Sequence, residues 1–341
     1  MSIDDLVTIN LVVYNGEKYI RHCLDAVKNQ TYKNIEVNIF DNDSGDKTKE
    51  IAKNEFPQFK LIENNKNYGM WPGQEEALKY SHGEFIVALS VDVILDSNFV
   101  TETVRVFQKD PRIGAIQGKI YKYELSDFQP PAPDPRPPFI IDTCGFKIFK
   151  SRRVINIGHG EKDEGQYNKE MEIFAVEGAV PVFRKRALEE LRILGEIVDC
   201  DFFWYGDDLD LAWRMRLFGW RQVFNPRVVA WHDRQTTKKL SKGLKDFIKM
   251  RKQIPTFKKR LDWRNYILTL IKNDFCVNII KDLPKILTRQ IALLGYFLLF
   301  EPKILLEIPT IIKLTPRVLK KRKEIMKRAK VTPEEIRKWL I

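Results

Sequence analysis

Short apolar runs alternate with amphipathic segments along the first third of the chain. The runs consist of β-branched or other apolar residues and predict strands at Val7–Val13, Ile35–Phe40, Lys60–Glu63, Glu84–Leu89 and Ile113–Ile120. Ile20, Leu24 and Val27 share one helical face, which predicts a helix after the first strand. A second helix is predicted from a Ser97 cap through Val106. This alternation predicts an α/β fold with a mostly parallel central sheet.

The pattern changes twice further along the chain. Six prolines fall between Pro130 and Pro138, so residues 129–138 are predicted to form an extended loop. After about Thr237, amphipathic and strongly apolar helices rich in Lys and Arg follow. We therefore predict two regions, 1–237 and 238–341, and the first divides into halves at 1–120 and 121–237.

The net charge of +12 conceals two parts of opposite sign. From Gln235 to Ile341 there are 27 Lys+Arg and 9 Asp+Glu, whereas the preceding residues have 31 and 37. The basic run Lys320–Arg328 lacks interleaved aromatic residues, so no nucleic-acid partner is expected. The four cysteines show no CxxC spacing, and the first residues do not resemble a secretory signal. These features predict a cytoplasmic protein with reduced thiols.

The basic C-terminal region has two possible placements. Its longest charge-free stretch, Gln290–Phe300, is 11 residues long, whereas a membrane span needs roughly 20. One placement is a helical hairpin in the interface of an anionic membrane, to which the basic residues would be attracted. The alternative is that these helices pack on the rest of the protein.

Polar residues follow the predicted strands at the edge where parallel sheets bind ligands. They are Tyr14 and Asn15 after the first strand, Asp41 after the second, Asn67 and Gly69 after the third, and Ser90 and Asp92 after the fourth. Asp41 can accept a hydrogen bond from a base or ribose, or form an Asx turn. Gly69 lets a backbone N–H approach a phosphate. Ser90 and Asp92 share one face of an extended segment and can reach a divalent ion.

Three carboxylates, Asp207, Asp208 and Asp210, crowd one short segment. They fit a helix N-terminus, or a general base beside a bound cation. In the second reading Asp208 is the base, and Asp207 and Asp210 raise its proton affinity. Arg214 can pair with Asp210 at the i, i+4 spacing.

The segments VVYNGEKYI, FDNDSGD, ENNKNYG, LSVDV, FFWYGDDLDLAWRMRLFGWR and AWHD occur in an order that resembles the inverting nucleotide-sugar glycosyltransferases of family 2. These enzymes have the GT-A fold, and bacterial rhamnosyltransferases of O-antigen and cell-wall glycan assembly are the branch most like this chain. The resemblance covers residues 6–235. The basic helical tail also resembles that branch, more loosely.

The resemblance assigns roles to individual residues on the donor side. It implies that Asp41 contacts the nucleotide base, and that Tyr14 and Asn15 lie around the nucleoside. Asn67 and Gly69 correspond to the loop beneath the nucleotide.

For the reacting groups, the resemblance implies that Asp92 holds Mg²⁺ or Mn²⁺, that His232 completes the metal shell, and that Asp208 is the general base. Ser90 stands where many relatives have Asp, and Gln74 stands where relatives often have Asn. These two departures leave open an alternative, a catalytically silent nucleotide-sugar-binding or scaffold protein of the same fold.

Four residues are candidates for the acceptor side. Trp204 and Tyr205 can form a platform for the acceptor sugar or be core aromatic residues. Asp207 lies in the place often taken by Glu. Asp163 lies in a loop that resembles the acceptor-side insertion of the rhamnosyltransferase branch and can bind sugar hydroxyls or simply be solvated.

The function implied is non-processive, inverting transfer of a sugar, with L-rhamnose from dTDP-rhamnose as the usual donor of the branch. A single transfer is favoured because no QxxRW sequence, which processive synthases use to hold the growing chain, follows Asp208. The implied acceptor is a saccharide linked to polyprenyl diphosphate in cell-surface polysaccharide synthesis. The implied location is the inner face of the plasma membrane, with the protein bound peripherally.

Overall fold

The computed structural model of the chain describes residues 5–125, 139–234 and 244–341. The strands are β1 Val7–Val13, β2 Ile35–Asp41, β3 Lys60–Glu63, β4 Phe85–Ser90, β5 Val93–Leu95, β6 Ile113–Lys122, β7 Ile141–Thr143, β8 Phe146–Ile148, β9 Val154–Asn156, β10 Met171–Glu172, β11 Val182–Arg184 and β12 Arg221–His232. The proline-rich loop predicted at 129–138 and the boundary predicted at 237/238 lie outside the described residues.

The helices cover the sheet and then dominate the C-terminal region. They are α1 Ile20–Lys28, α2 Thr48–Glu55, α3 Met70–Leu78, α4 Phe99–Lys109, α5 Lys185–Glu190, α6 Asp207–Leu217, α7 Leu244–Gln253, α8 Thr256–Asn273, α9 Cys276–Phe300, a 3₁₀ helix Pro302–Glu307, α10 Ile308–Arg328 and α11 Pro333–Arg337.

The central sheet confirms the predicted α/β architecture. Its strand order is β10-β12-β6-β11-β4-β1-β2-β3, and the pairs β1–β2, β1–β4, β2–β3 and β12–β6 are parallel. β11 lies between β4 and β6 and runs antiparallel to both. The predicted face of α1 is buried through Ile20, Leu24 and Val27, and each such side chain contributes about 1.5–3 kcal/mol when removed from water.

Two local predictions are wrong. α4 begins at Phe99 and not after a Ser97 cap, because the Ser97 carbonyl accepts a hydrogen bond from the Thr31 N–H. The chain also does not stay extended from Ser90 to Asp92. β4 ends at Ser90, and a turn at residues 91 and 92 leads into β5, which runs back along β12.

The C-terminal helices α8 and α10 pack on the preceding α/β part of the chain. Lys272 of α8 pairs with Asp199 and, at 2.9 Å, with Asp210. Lys321 of α10 reaches the other oxygen of Asp199 at 2.6 Å. All four side chains are buried, and breaking such a buried pair costs about 3–5 kcal/mol. The two helices therefore share a charged core with the α/β sheet domain.

α9 differs from the helices on either side of it. Within the described part of the chain it is the one helix long and apolar enough, by length and composition, to cross a membrane, and 11% of its most apolar window is buried. It therefore presents much of its apolar surface outward.

Candidate active site

Parallel pairing brings the predicted donor-side residues to one edge of the sheet. The register places Val13, the last residue of β1, opposite Asp41 of β2, and it places Val12 opposite Ser90 of β4. Tyr14 follows directly and is 52% exposed. The carboxyl ends of β1, β2 and β4 thus form the floor of a candidate nucleotide site, as sheets of this kind favour.

Asp41 has one carboxylate oxygen without a hydrogen bond. Its Oδ2 accepts a hydrogen bond from the Ser44 N–H at 3.0 Å, while its Oδ1 is buried and has no hydrogen-bond partner among the residues that the structure describes. Burying such an acceptor without a donor is costly. A ligand N–H or O–H, such as that of a nucleobase or a ribose, would satisfy it.

Asn15 and Asn67 shape the loops around this position. Asn15 has a φ of 50°, and its Oδ1 accepts a hydrogen bond from the Gly45 N–H at 2.8 Å. Asn67 Oδ1 accepts one from the Gly69 N–H at 2.8 Å. Their amide oxygens hold the loops in place, and direct contact of these residues with a nucleotide stays a prediction.

Gly69 has a structural role in addition to the predicted one. Its N–H donates to Asn67 Oδ1, and its approach to a phosphate stays a prediction. Gly69 has a φ of 91°, and a Cβ there would lie 2.3 Å from the Phe203 carbonyl oxygen. Glycine is required because the nucleotide-side loop touches the backbone of the loop that precedes α6.

Asp92 and His232, which are far apart in sequence, lie close together. His232 Nε2 is 3.5 Å from Asp92 Oδ2, and His232 Nδ1 is 2.9 Å from Asp142 Oδ2. Burial lowers the pKa of the His232 imidazole, but Asp92 and Asp142 raise it to about 10. In this state a protonated ring faces the Asp92 carboxylate.

These residues fit a divalent cation that is shared with a diphosphate. A carboxylate that orients the far nitrogen of a ligating histidine is a frequent arrangement at metal sites, and here Asp142 has that position. Among the described residues no group of three or more His, Cys, Asp or Glu could hold a metal ion. Two protein ligands suffice where phosphate oxygens and water complete the shell. Ser90 has a hydroxyl and not a carboxylate, so Asp92 is the one carboxylate of the predicted metal ligands.

A chain of charged groups connects the Asp92–His232 pair to the second half of the site. Arg234 Nε donates to Asp142 Oδ1 at 2.7 Å, and Arg234 Nη2 donates to Glu177 Oε1 at 2.6 Å. Burial alone would raise the pKa of the Asp142 carboxyl, but Arg234 and the neighbouring histidines hold it well below its usual value. Asp142, Glu177 and Arg234 were not predicted from the sequence. The position of Arg234 directly after AWHD was the one available signal.

The residues 177–179 join this chain to the candidate base. The Gly178 N–H donates to Asp208 Oδ2 at 3.1 Å, and the Leu209 N–H donates to Asp208 Oδ1 at 2.8 Å. The Ala179 carbonyl oxygen accepts a hydrogen bond from the Ser90 N–H at 3.2 Å. Asp208 therefore lies at the same edge of the sheet as Ser90 and Asp92.

The Asp208 carboxyl is tuned to gain and lose a proton near neutral pH. Burial and the charge of Glu177 raise its pKa, the two backbone N–H groups and Arg234 oppose them, and the resulting pKa is about 7. Burial and Glu177 are thus the main causes of the shift, and not Asp207 and Asp210 as the sequence analysis expected.

The two neighbouring acids have structural environments of their own. Asp210 pairs with Arg214 at 2.8 Å, as predicted, and also with Lys272. Asp207 is buried, and within the described part of the chain neither of its oxygens has a hydrogen-bond partner. Burial together with the other carboxylates raises its pKa well above the usual value. Asp210 anchors α6, and Asp207 favours the neutral form.

The loop before Asp208 is held in a strained conformation from outside. Phe203, Tyr205 and Gly206 have φ values of 62°, 69° and 77°. Asn265 Nδ2, from α8, lies 3.1, 2.9 and 2.7 Å from the carbonyl oxygens of Phe202, Trp204 and Tyr205. Positive φ in bulky residues is costly and persists only where surrounding contacts impose it. No sequence signal pointed to Asn265.

The remaining acceptor-side candidates are divided between two places. The rings of Trp204 and Tyr205 are half-buried, with centroids 4.8 Å apart, and they stand next to the base. Asp163 pairs instead with Lys119 at 2.8 Å and accepts a hydrogen bond from the Tyr121 hydroxyl at 2.5 Å.

Gln74, the residue that stands where relatives often have Asn, is buried. Its side chain donates a hydrogen bond to the Asn10 carbonyl oxygen at 3.0 Å.

Residues 8–192 match the family described as glycosyl transferase family 2. Glycosyltransferase GlyA of Streptococcus pneumoniae serotype 4 is 30% identical over 139 residues, which cover 37% of this chain and 20% of GlyA. A poly-beta-1,6-N-acetyl-D-glucosamine synthase of Staphylococcus epidermidis is 23% identical over 228 residues, 66% of this chain and 49% of the synthase. The chain thus spans about a fifth to a half of the length of these curated relatives.

Solved structures show the same fold. A mannosyltransferase from Pyrobaculum calidifontis (PcManGT), in complex with GDP-Man and Mn²⁺, superposes with a TM-score of 0.53 and 16% identity, covering 95% of this chain and 87% of that one. GalNAc-T7 with UDP, GalNAc and Mn²⁺ gives a TM-score of 0.55 and 14% identity, covering 79% and 48%. The predicted GT-A fold is confirmed.

Proposed function

Because this chain belongs to glycosyl transferase family 2 and has the GT-A fold, we propose that it transfers a single sugar from a nucleotide-diphosphate donor to an acceptor hydroxyl, with inversion. The observation that supports this proposal most directly is the position and the pKa of the Asp208 carboxyl. Its carboxyl, with a pKa of about 7, lies at the sheet edge that also holds Asp41, Asp92 and His232.

In the proposed reaction Asp208 acts as the general base. The acceptor hydroxyl oxygen attacks the anomeric carbon while its proton passes to the Asp208 carboxylate, and the bond from that carbon to the diphosphate oxygen breaks. A positioned base contributes about 10²–10⁴-fold to such a step. The Gly178 and Leu209 N–H groups hold the carboxylate in one orientation.

The donor is proposed to bind across the carboxyl ends of β1, β2 and β4. Asp41 Oδ1, which is buried and has no partner within the described part of the chain, would accept a hydrogen bond from the base or ribose, with Tyr14 beside the nucleoside. Asp92 and His232 would hold Mg²⁺ or Mn²⁺ with the diphosphate. When bound, that ion neutralises negative charge on the leaving nucleoside diphosphate.

The proposed donor sugar and the proposed acceptor are supported by two separate similarities. The resemblance to bacterial rhamnosyltransferases supports dTDP-L-rhamnose as donor. The name of one relative describes a lipid-linked acceptor: the dolichyl N-acetyl-alpha-D-glucosaminyl phosphate 3-beta-D-2,3-diacetamido-2,3-dideoxy-beta-D-glucuronosyltransferase of Methanococcus voltae, 27% identical over 129 residues that cover 35% of this chain and 40% of the relative. That name supports a polyprenyl-linked saccharide as the acceptor, and the resemblance to the rhamnosyltransferases supports the diphosphate linkage. The inner face of the plasma membrane is the proposed location.

A donor-consumption assay tests this proposal. The full chain is incubated with a panel of nucleotide sugars and Mn²⁺ or Mg²⁺, with and without lipid-linked saccharides, and released nucleotide diphosphate is measured. Release that depends on both the acceptor and the divalent ion supports transfer. Tight donor binding without consumption across the panel would instead favour the silent scaffold, the alternative that Ser90 and Gln74 leave open.

A further inference from the structure

α9 carries a continuous exposed apolar stripe. Six of its residues recur every three or four positions and are 37–69% exposed: Ile280, Leu283, Leu287, Ile291, Leu294 and Leu298. The exposed surface continues through Leu306 of the 3₁₀ helix, at 60%, and Ile312 of α10, at 67%. We call this surface the α9–α10 face. Soluble monomers rarely expose a contiguous apolar patch of this kind unless it contacts a partner or a membrane.

The opposite side of α9 is fixed to the protein. Asn278 Nδ2 donates to the Pro333 carbonyl oxygen at 2.8 Å. Asp282 is buried and pairs at 2.7 Å with both Arg152 and Arg337. These contacts fix the rotation of α9 about its own axis, so that the apolar stripe faces away from the rest of the protein.

Exposed lysines are frequent on the helices that form the α9–α10 face. Seven are exposed on α9, the 3₁₀ helix and α10: Lys281, Lys285, Lys303, Lys313, Lys320, Lys323 and Lys327. Three acids of this region are paired within the protein: Asp282 with two arginines, Glu301 with Arg251 and Lys259, and Glu307 with Arg260. Glu334 is exposed and lies 3.6 Å from Lys281, so the other six lysines carry the outward positive charge. An apolar stripe with an outward cationic rim is complementary to a bilayer that contains anionic lipid.

We propose that the α9–α10 face lies in the interface of an anionic bilayer, with α9 parallel to the membrane plane. A spanning orientation is disfavoured, because it would carry Asp282 and its two arginine partners toward the hydrocarbon core. A second copy of the chain is also a poor fit, since two like faces would bring cationic rims together. This inference rests on the membrane location proposed above and specifies the surface that makes the contact.

This orientation also places the candidate acceptor platform beside the membrane-facing helices. Trp204 contacts Phe257 at the start of α8, with ring centroids 6.1 Å apart, and Phe257 is 50% exposed. Lys259, two residues later, pairs with Glu301 just after α9 at 2.8 Å. A lipid-linked saccharide could then reach Asp208 while its lipid stays in the bilayer.

Vesicle flotation of the full chain, without sugar donor, tests the inference. Vesicles of phosphatidylcholine alone are compared with vesicles that also contain phosphatidylglycerol. We expect binding to the anionic vesicles that is released by high salt. The variant I291E/L298E should bind more than about 100-fold more weakly, because two apolar side chains no longer enter the interface. Its control, K53Q/K60Q, makes the same change in net charge on α2 and β3 and should bind normally.

Three results would overturn the inference: equal binding by I291E/L298E and wild type, binding that resists high salt and alkaline extraction as a spanning helix would, and a shift from dimer to monomer in I291E/L298E without lipid. Light scattering and circular dichroism of each variant give the oligomeric state and confirm folding. Because no donor is present, loss of vesicle binding and loss of sugar transfer are separate outcomes.

Discussion

Gly178→Ala should displace the candidate base without disturbing the fold. A Cβ at this position would lie 2.9 Å from Asp208 Oδ2, 3.2 Å from its Cβ and 3.3 Å from its Cγ. Ordinary van der Waals contact begins at about 3.4 Å, so the carboxylate has to move by about 0.5 Å. Gly178 lies outside the left-handed region of φ, and alanine therefore adds no backbone strain there.

The expected consequence is a loss of kcat. A misplacement of about 1 Å can reduce a rate about 10²-fold, so a shift of half that size predicts a loss of about tenfold or more. The KM for the donor should stay near the wild-type value, because Asp41, Asp92 and His232 are untouched. Steady-state kinetics at saturating acceptor and varied donor measure the two parameters separately.

Gly295→Ala is the matched control. No atom of the described residues lies within 4 Å of a Cβ at Gly295, and alanine is more favourable than glycine inside a helix by roughly 0.5–1 kcal/mol. That variant should have wild-type kcat. Wild-type kcat in Gly178→Ala, with its melting temperature unchanged, would refute the assignment of Asp208 as the positioned base.

Three further perturbations test other parts of the site. Asn265→Leu removes the donor that holds three carbonyl groups of the loop before Asp208, so kcat should fall about tenfold with little change in donor affinity; unaltered kinetics would show that the loop holds its own conformation. Asp41→Ala should weaken nucleotide binding about tenfold, as measured by calorimetry, because one hydrogen bond to a charged group is lost. Unchanged affinity would mean that the nucleobase and ribose do not contact Asp41. Lys272→Met removes the cation that Asp199 and Asp210 share, while Lys321 and Arg214 still pair with them. It should lower the free energy of unfolding by about 1.5–3 kcal/mol, as measured in urea; an unchanged free energy of unfolding would mean that Lys272 adds nothing to the two remaining pairs.

Local sequence patterns predicted the elements that local interactions determine. β1 and β3 have the predicted bounds, because short runs that contain β-branched or other apolar residues between turn residues favour strands. The pairing of Asp210 with Arg214 was predictable for the same reason, since helix geometry alone brings residues four apart together. The ordered motifs further located Asp92 and His232, which the structure brings to 3.5 Å.

Contacts between distant segments were not predictable. The raised pKa of Asp208 depends on Glu177, which is 31 positions earlier in the sequence, and on burial that exists only in the folded chain. Asn265 holds the loop before Asp208, and it belongs to α8, in the region that the sequence assigned to a separate C-terminal part. The antiparallel insertion of β11 between β4 and β6 likewise leaves no periodic signal, because a three-residue strand is too short for one.

The pH dependence of sugar transfer by wild type and Asp208→Asn tests the central claim most directly. For wild type, kcat should rise with pH through about 7 and then level off, because the base must lose its proton before it can accept one from the acceptor. Asp208→Asn should fold, bind donor and lose about 10²–10⁴-fold in kcat, with no rise near 7 in what remains. Near wild-type turnover by Asp208→Asn with saturating donor would contradict the account.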